Sequence, residues 1–454
     1  MLWLLSLMLG AVVVETVIAW VQMYANANQI DISPYNNPSP AGVFQQVNVM
    51  ASFLATGLVL SGYLAVYRSD LRGEMLRKLI CVAILAVPVL SIHLLIYLSS
   101  RTGLLGSLVG ISLLLPLIWQ QRDKLLIRGW ATAIAVGLLI SLVIQGSGAA
   151  GFQRSSKDLI SVQSLRSIHM PQTVDMILQK PITGYGYGRF ERSYVEFTAE
   201  NYSNGEDPDP GIGGLDHPHN ELLMWATEGG ILALATLLLA AWFVLSVVLK
   251  FPVPQRFAAI AILFPIVLHT QLEYPFYTSV AHWVIFVILI FWIDNQLGET
   301  KEVKAEQTLI FATGGILIPT ITTLFMLTSL QSGYILARYE LGLEQDVRTF
   351  DKMLNPMVWH DRMLLAINFR LVLNGISYRN PELARPFIDW APAYLARYPR
   401  PDYYRYLMLA YQVSGDLPAA AATRDKAAYL FPGMHFELVD LDQFAVAPDF
   451  GPRQ

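Results

Sequence analysis

Nine stretches of mainly apolar residues dominate the pattern along the chain, near 3–24, 49–67, 78–98, 103–119, 129–147, 220–249, 257–271, 279–297 and 307–330. A helix needs about 20 such residues to cross a bilayer. Lipid gives backbone groups no hydrogen-bond partners, so each stretch predicts a membrane-spanning helix. The polar connections alternate in charge. Arg68, Arg72, Arg77 and Lys78 fill one loop, and Arg122, Lys124 and Arg128 another. Lys250 with Arg256, and Lys301 with Lys304, mark a third and a fourth. Positive loops stay on the cytoplasmic side, which places the N-terminus there as well. The connections 25–48, 99–102, 148–219 and 272–278, and everything from about 331, then face outward. Pro34–Pro40 and Asn201–Asp216 have the composition of loops.

This pattern predicts an all-α fold, a polytopic helical membrane bundle, in four regions. Residues 1–147 carry the first spans, 148–219 form a large outer loop, 220–330 carry the last spans, and 331–454 form an outward helical domain. In that last region Asp402–Pro432 predicts two antiparallel helices, with Tyr403, Tyr406, Leu407 and Ala410 on one stripe and a turn at Gly415–Asp416. This is similar to one tetratricopeptide-like unit. A single unit cannot bury its own face, so packing against helices in 334–374 and 381–397 is expected.

Composition narrows the function. Only 15% of residues are charged and 54% are hydrophobic, which is what lipid-facing helices produce. A net charge of −4 leaves no basic footprint for nucleic acid. The single cysteine, Cys81, excludes a disulfide framework and any cysteine-based metal site. Met1 leads directly into an apolar stretch with no basic segment or cleavage motif, so a span is expected there rather than a removed leader. No metal and no cofactor are expected. His217 and His219 lack a third ligand at suitable spacing, and Glu206, Asp207 and Asp209 lack the rest of a calcium loop.

Four polar clusters fall at outer membrane edges, and their common side is the main functional signal. His217-Pro218-His219-Asn220-Glu221, with Glu228-Gly229-Gly230 beyond, stands where the outer loop enters the sixth span. Imidazole is suited to proton transfer near neutral pH. Ser99-Ser100-Arg101-Thr102-Gly103 forms an outer turn, where an arginine fork and a helix N-terminus suit phosphate. Gln45-Gln46-Val47-Asn48 opens the second span with amides that can hold sugar hydroxyls or phosphate, or can simply cap the helix. His269-x-Gln271-x-Glu273-Tyr274-Pro275-Phe276-Tyr277 joins the seventh and eighth spans. Tyr277 suits an interfacial anchor, and Glu273 needs a partner such as Arg101.

Together these motifs resemble the O-antigen ligase and polymerase superfamily. His217–Gly230 resembles its signature. Gly42-x-Phe44-x-Gln46-x-Asn48-x-x-Ala51, Ser100–Gly103, Gly184-Tyr185-Gly186-Tyr187-Gly188 and Glu273-Tyr274-Pro275 are similar to motifs of its protein O-oligosaccharyltransferase branch. The resemblance implies a GT-C-like bundle in the bacterial inner membrane, with active face and C-terminus in the periplasm. It implies transfer of a glycan from undecaprenyl pyrophosphate to a hydroxyl of a periplasmic protein such as pilin, without metal or nucleotide sugar. By position, His219 matches the essential histidine, Gln46 the glutamine, Tyr274 the tyrosine and Arg101 the arginine facing pyrophosphate. Asn48, Thr102, His217, Asn220, Glu221, Glu273 and Tyr277 are the expected substrate-binding residues around them. Family members usually carry more spans before the Gln-x-Asn motif and often have Pro where Val47 stands.

Other readings compete. Lipid A core ligation and O-antigen polymerisation differ in acceptor, not in chemistry. A transporter would place its polar groups near the bilayer midplane between inverted repeats, and none is evident. A non-catalytic membrane scaffold displaying the helical tail is the remaining class. Within the histidine motif, Pro218 biases His217 to an extended and looser position, whereas His219 adjoins the helix start. His219 is therefore the expected base, and His217→Ala is expected to retain transfer.

Overall fold

The computed structural model describes residues 2–28, 30, 39–44, 46–67, 74–122, 124–146, 165–297 and 305–441. Most of the Pro34–Pro40 loop, and Arg68, Arg72, Lys301 and Lys304, lie outside the described residues. All regular structure among the described residues is helical. In chain order the helices are α1 (Leu2–Ala27), α2 (Val47–Tyr67), α3 (Glu74–Leu98), α4 (Arg101–Gln120), α5 (Leu125–Gly146), α6 (Arg166–Gln179), α7 (Phe190–Asn204) and α8 (Glu221–Val248). There follow α9 (Val253–Leu272), α10 (Pro275–Thr278), α11 (Val280–Asn295), α12 (Ala305–Glu340), α13 (His360–Ser377), α14 (Arg385–Leu395), α15 (Pro401–Ser414) and α16 (Leu417–Leu430).

Eight of the described helices are long and apolar enough to span a bilayer, and α11, at 16 residues, is a shorter apolar helix. Every apolar stretch of the sequence therefore lies on a helix. Two expectations change. Residues 165–216 are not one loop, since they contain α6 and α7. The last span does not stop near 330, because α12 runs on to Glu340, and short 3-10 turns at Val347–Lys352 and Pro356–Trp359 precede α13.

The chain divides into two compact units, one of Met1–Gly186 with His217–Thr300, the other of Tyr187–Asp216 with Lys301–Gln454. In the first, α2 is apolar all round and buried throughout its spanning window, enclosed by α1, α3, α4 and α9. Small residues let the helices approach. A side chain on Gly103 would begin 2.6 Å from Cβ of Ala51, and one on Gly110 would begin 2.6 Å from Val59. Close approach through small residues is the usual means of helix association where lipid removes the hydrophobic drive. It brings the N-terminal end of α4 against the start of α2.

α8 is broken at Gly230, whose φ of 66° and ψ of −161° are accessible in practice only to glycine. The break frees the carbonyls of Thr227 and Glu228 from the helical ladder. The segment 181–186 meets them: Tyr185 N–H donates to Thr227 O and Gly186 N–H to Glu228 O, both at 2.8 Å. Ile231 N–H in turn donates to Pro181 O at 2.8 Å. Irregular backbone in a spanning helix needs this kind of replacement partner. The Gly-Tyr-Gly and Glu-Gly-Gly motifs are thus two halves of one backbone clip. A Cβ on Gly184 would lie 2.5 Å from Glu228 O, and one on Gly230 2.2 Å from Ile182 O.

In the second unit α15 and α16 form a hairpin whose turn uses Gly415 at φ 84° and is capped by Asp416, which accepts from Ala419 N–H at 3.0 Å. Arg400, just before α15, makes a two-pronged ion pair with Glu191 of α7 at 2.7 and 3.1 Å. Leu336 and Tyr339 of α12 pack with Phe350 and Met353 in a small core.

Candidate active site

The helix ends of the first unit converge through a chain of side-chain hydrogen bonds. Ser100 caps α4 by accepting from Gly103 N–H at 3.2 Å, and its hydroxyl donates to Asn48 Oδ1 at 2.7 Å. Asn48 Nδ2 donates to Glu273 Oε1 at 2.7 Å. Asn48 is the second residue of α2, so its side chain tethers three helix ends and does not cap its own helix. A hydrogen bond to a carboxylate contributes about 1.5–3 kcal/mol. Arg166, the first residue of α6, donates to the carbonyl of Leu272 at 2.6 Å and lies 3.5 Å from Glu273 Oε1. The sequence suggested Arg101 as partner for Glu273; the structure places Asn48 and Arg166 against that carboxylate. Arg101 stands exposed as the first residue of α4, and Thr102 is buried behind it.

The histidine motif completes the cluster from the other side. His219 sits at φ 53°, a left-handed conformation, and its Nδ1 is 4.0 Å from Glu273 Oε2. Its backbone N–H donates to Nδ1 of His217 at 2.9 Å. That bond places the proton of neutral His217 on Nε2. His217 is 3% exposed, with ring centroids 4.6 Å from Tyr274 and 5.3 Å from Tyr277. Burial, with the nearby His219, pushes its pKa down to about 3. Pro218 does not leave His217 loose: His217 is the boxed-in ring, and it holds the backbone of His219 in its strained position. Tyr274 also faces His219, with centroids at 5.1 Å. Tyr277 is exposed over much of its surface, like an interfacial anchor, while its other side meets His217; partial desolvation on that side, then the acidic Glu221 and Glu228, raise its pKa to about 12.

Asn220 caps α8, accepting from Leu223 N–H at 2.9 Å, and donates to the Gln271 carbonyl at 3.1 Å, which joins the start of α8 to the end of α9. Glu221 follows, with Oε2 accepting from Trp225 Nε1 at 3.2 Å. Gln46 lies immediately before α2, its carbonyl accepting from Met50 N–H at 3.2 Å, and its side chain makes no hydrogen bond among the described residues. The structure thus joins Asn48, Glu273, His219, His217, Tyr274 and Tyr277 directly, and brings Asn220 beside them through Gln271.

Three contributors were missed by sequence reasoning. Arg166 and His169 are one turn apart on α6. Arg166 reaches Glu273, and His169 is buried with its ring 5.6 Å from that of His219. Burial first, then His219 and Arg166, lower the His169 pKa to about 4. Neither residue lies in a spanning segment or a cluster, so nothing in the pattern marked them. The third is a latch from α1. Gln22 donates to Gly42 O at 2.7 Å and accepts from Gly42 N–H at 2.8 Å, and Glu15 accepts from Val43 N–H at 3.1 Å. Both lie seven residues apart on one face of an apolar span, where polar groups are functional by default, and that signal was available. The latch fixes the segment that leads into Gln46.

Three family models match the chain. One for O-antigen ligase covers residues 86–238, one for the C-terminal part of a virulence factor membrane-bound polymerase covers 257–445, and one for a protein glycosylation ligase covers 40–65. These segments contain Ser100–Thr102 with the histidine motif, Glu273 with Tyr274 and Tyr277, and Gln46 with Asn48, respectively. No curated protein and no solved structure matches the chain.

Proposed function

Because the chain belongs to the O-antigen ligase superfamily, together with protein glycosylation ligases, we propose that it transfers a glycan from undecaprenyl pyrophosphate to a hydroxyl of a periplasmic protein such as pilin, at the outer face of the bacterial inner membrane. The observation that carries the reading is the meeting of His219, Glu273, Asn48 and Arg166 where the ends of α2, α3, α4, α6, α8 and α9 converge. Such a site offers a base, a carboxylate beside it and cationic groups for a phosphate leaving group.

In this reading the donor pyrophosphate lies against Arg101 and the N-terminus of α4, where fork geometry and the positive end of the helix suit phosphate oxygens. The acceptor oxygen attacks the anomeric carbon, its bond to that carbon forms, and the bond to pyrophosphate breaks. The acceptor proton passes to His219, and Glu273, 4.0 Å away, shares the resulting positive charge. Undecaprenyl pyrophosphate departs with the electron pair. Gln46 and Tyr274 border the acceptor and donor. Most of the rate comes from holding the reactants in line and from stabilising the leaving group.

Lipid A core and a growing O-antigen chain are the alternative acceptors. The test is purified protein with undecaprenyl-pyrophosphate oligosaccharide and each acceptor in turn, read by mass. A glycan-sized increase on the protein acceptor supports the reading. Product only on lipid A core, or only lengthening of the lipid-linked glycan, removes the protein acceptor.

A further inference from the structure

Below the Asn48–Glu273 contact lies a second polar contact that the transfer chemistry does not use. Ser52 is one helical turn after Asn48 on α2, and His269 is one turn before Glu273 at the end of α9. The Ser52 hydroxyl is 2.6 Å from His269 Nδ1 and 2.9 Å from His282 Nε2 of α11. His282 Nδ1 is 2.9 Å from the hydroxyl of Ser279, which caps α11. Ser52, His269 and His282 are each 0% exposed. Phe44 and Phe53 close over His282, with centroids at 5.8 and 6.0 Å.

We infer that Ser52, His269 and His282 are positioning residues that fix the register of α2 against α9 and so hold the Asn48–Glu273 pair facing His219. The geometry gives the reason. Residues four apart on facing helices make two parallel rungs, Asn48–Glu273 above and Ser52–His269 below. One rung alone is a pivot, and two rungs resist both sliding and rotation. The Ser52 oxygen carries one proton, for which two imidazoles and the Val49 carbonyl at 3.1 Å compete. At least one ring must therefore donate to it, which fixes that ring's tautomer and direction. Apolar packing alone would hold the helices together without selecting this register. In a buried setting a hydrogen-bonded cluster selects one arrangement because every slipped one leaves polar groups unpaired. Serine is the one aliphatic hydroxyl residue with no branch at Cβ, so it fits between two rings.

The catalytic part of this inference rests on the transfer reading, so the test has one arm that does not. In a Cys81→Ser background, Asn48→Cys and Glu273→Cys are joined in membranes by a short bis-methanethiosulfonate reagent, with Ser52 or with Ser52→Ala. The expected result is several-fold slower cross-linking with Ser52→Ala, and an unchanged rate overturns the inference whether or not the protein transfers glycan. In the second arm, Ser52→Ala and the triple change Ser52→Ala, His269→Leu, His282→Phe are compared with wild type. The triple change removes both imidazoles of the cluster and so leaves neither without its serine partner, which guards against loss of folding. Displacement of a reacting group by about 1 Å costs up to roughly a hundredfold in rate. Both variants are expected to lose about tenfold or more in kcat with donor KM within about twofold. Recovery of wild-type kcat by the triple variant, or parallel loss of folded protein and activity in both, overturns the positioning role. A wild-type chain that transfers nothing refutes the transfer reading and leaves cross-linking to decide the clamp.

Discussion

Acid should loosen the site through His217, and the size of the effect follows from its surroundings. The ring lies outside the spanning segments, is 3% exposed and is enclosed by Tyr274 and Tyr277. Burial and His219 lower its pKa from 6.5 to about 3. Between those values the unfolded chain binds a proton that the folded site refuses. Stability is therefore fully present above about pH 6.5 and falls as the pH drops toward 3. Each unit corresponds to about 1.4 kcal/mol, so acidifying from pH 6.5 to 4.5 removes roughly 3 kcal/mol through this one ring. His169, lowered to about 4 by burial, then by His219 and Arg166, acts with the same sign. The perturbation is His217→Phe, which keeps an aromatic ring in the box and removes the titration. The assay is the unfolding midpoint of detergent-purified protein at pH 7.0 and 4.5. The wild-type midpoint should drop further than the variant's, by the equivalent of roughly 3 kcal/mol. Equal drops would show that the folded site accepts the proton, and would refute the argument from burial.

Three further outcomes are expected. Gly230→Ala forces a Cβ to 2.2 Å from Ile182 O at a glycine-only conformation, and should destabilise by about 2–5 kcal/mol, read as a lowered unfolding midpoint; no change would mean the backbone clip is dispensable. Arg101→Lys keeps the charge and loses the fork, and should weaken binding of lipid-linked pyrophosphate about tenfold by titration; unchanged binding removes Arg101 from the donor site. A single cysteine introduced in 402–432 should react with a membrane-impermeant reagent on intact spheroplasts, and reaction only after lysis would invert the orientation drawn from the basic loops.

The bundle was legible because each span needs a long apolar run, and lipid permits only one backbone conformation there. Asn48, Glu273 and the histidine motif were legible as polar residues at span edges. What the pattern could not show is which polar groups meet across the fold. Arg166 and His169 sit on an amphipathic helix inside a polar loop, and only the folded contacts distinguish them from any other arginine and histidine. Local sequence also misjudged His217: Pro218 bears only on its backbone, whereas Tyr274 and Tyr277, some sixty residues on, decide how tightly the ring is held. The glycine motifs were read as family marks, and their physical reason appeared only when 181–186 was seen alongside the break in α8.

If His219 takes the acceptor proton in a glycan transfer, its removal must slow the transfer step itself. The measurement is the transfer rate of purified wild type and His219→Ala, with undecaprenyl-pyrophosphate oligosaccharide and a pilin acceptor, at equal amounts of folded protein. His219→Ala is expected to bind the donor as wild type does and to transfer at least about a hundredfold more slowly, the contribution usual for a positioned proton acceptor. Transfer by His219→Ala at the wild-type rate would contradict it.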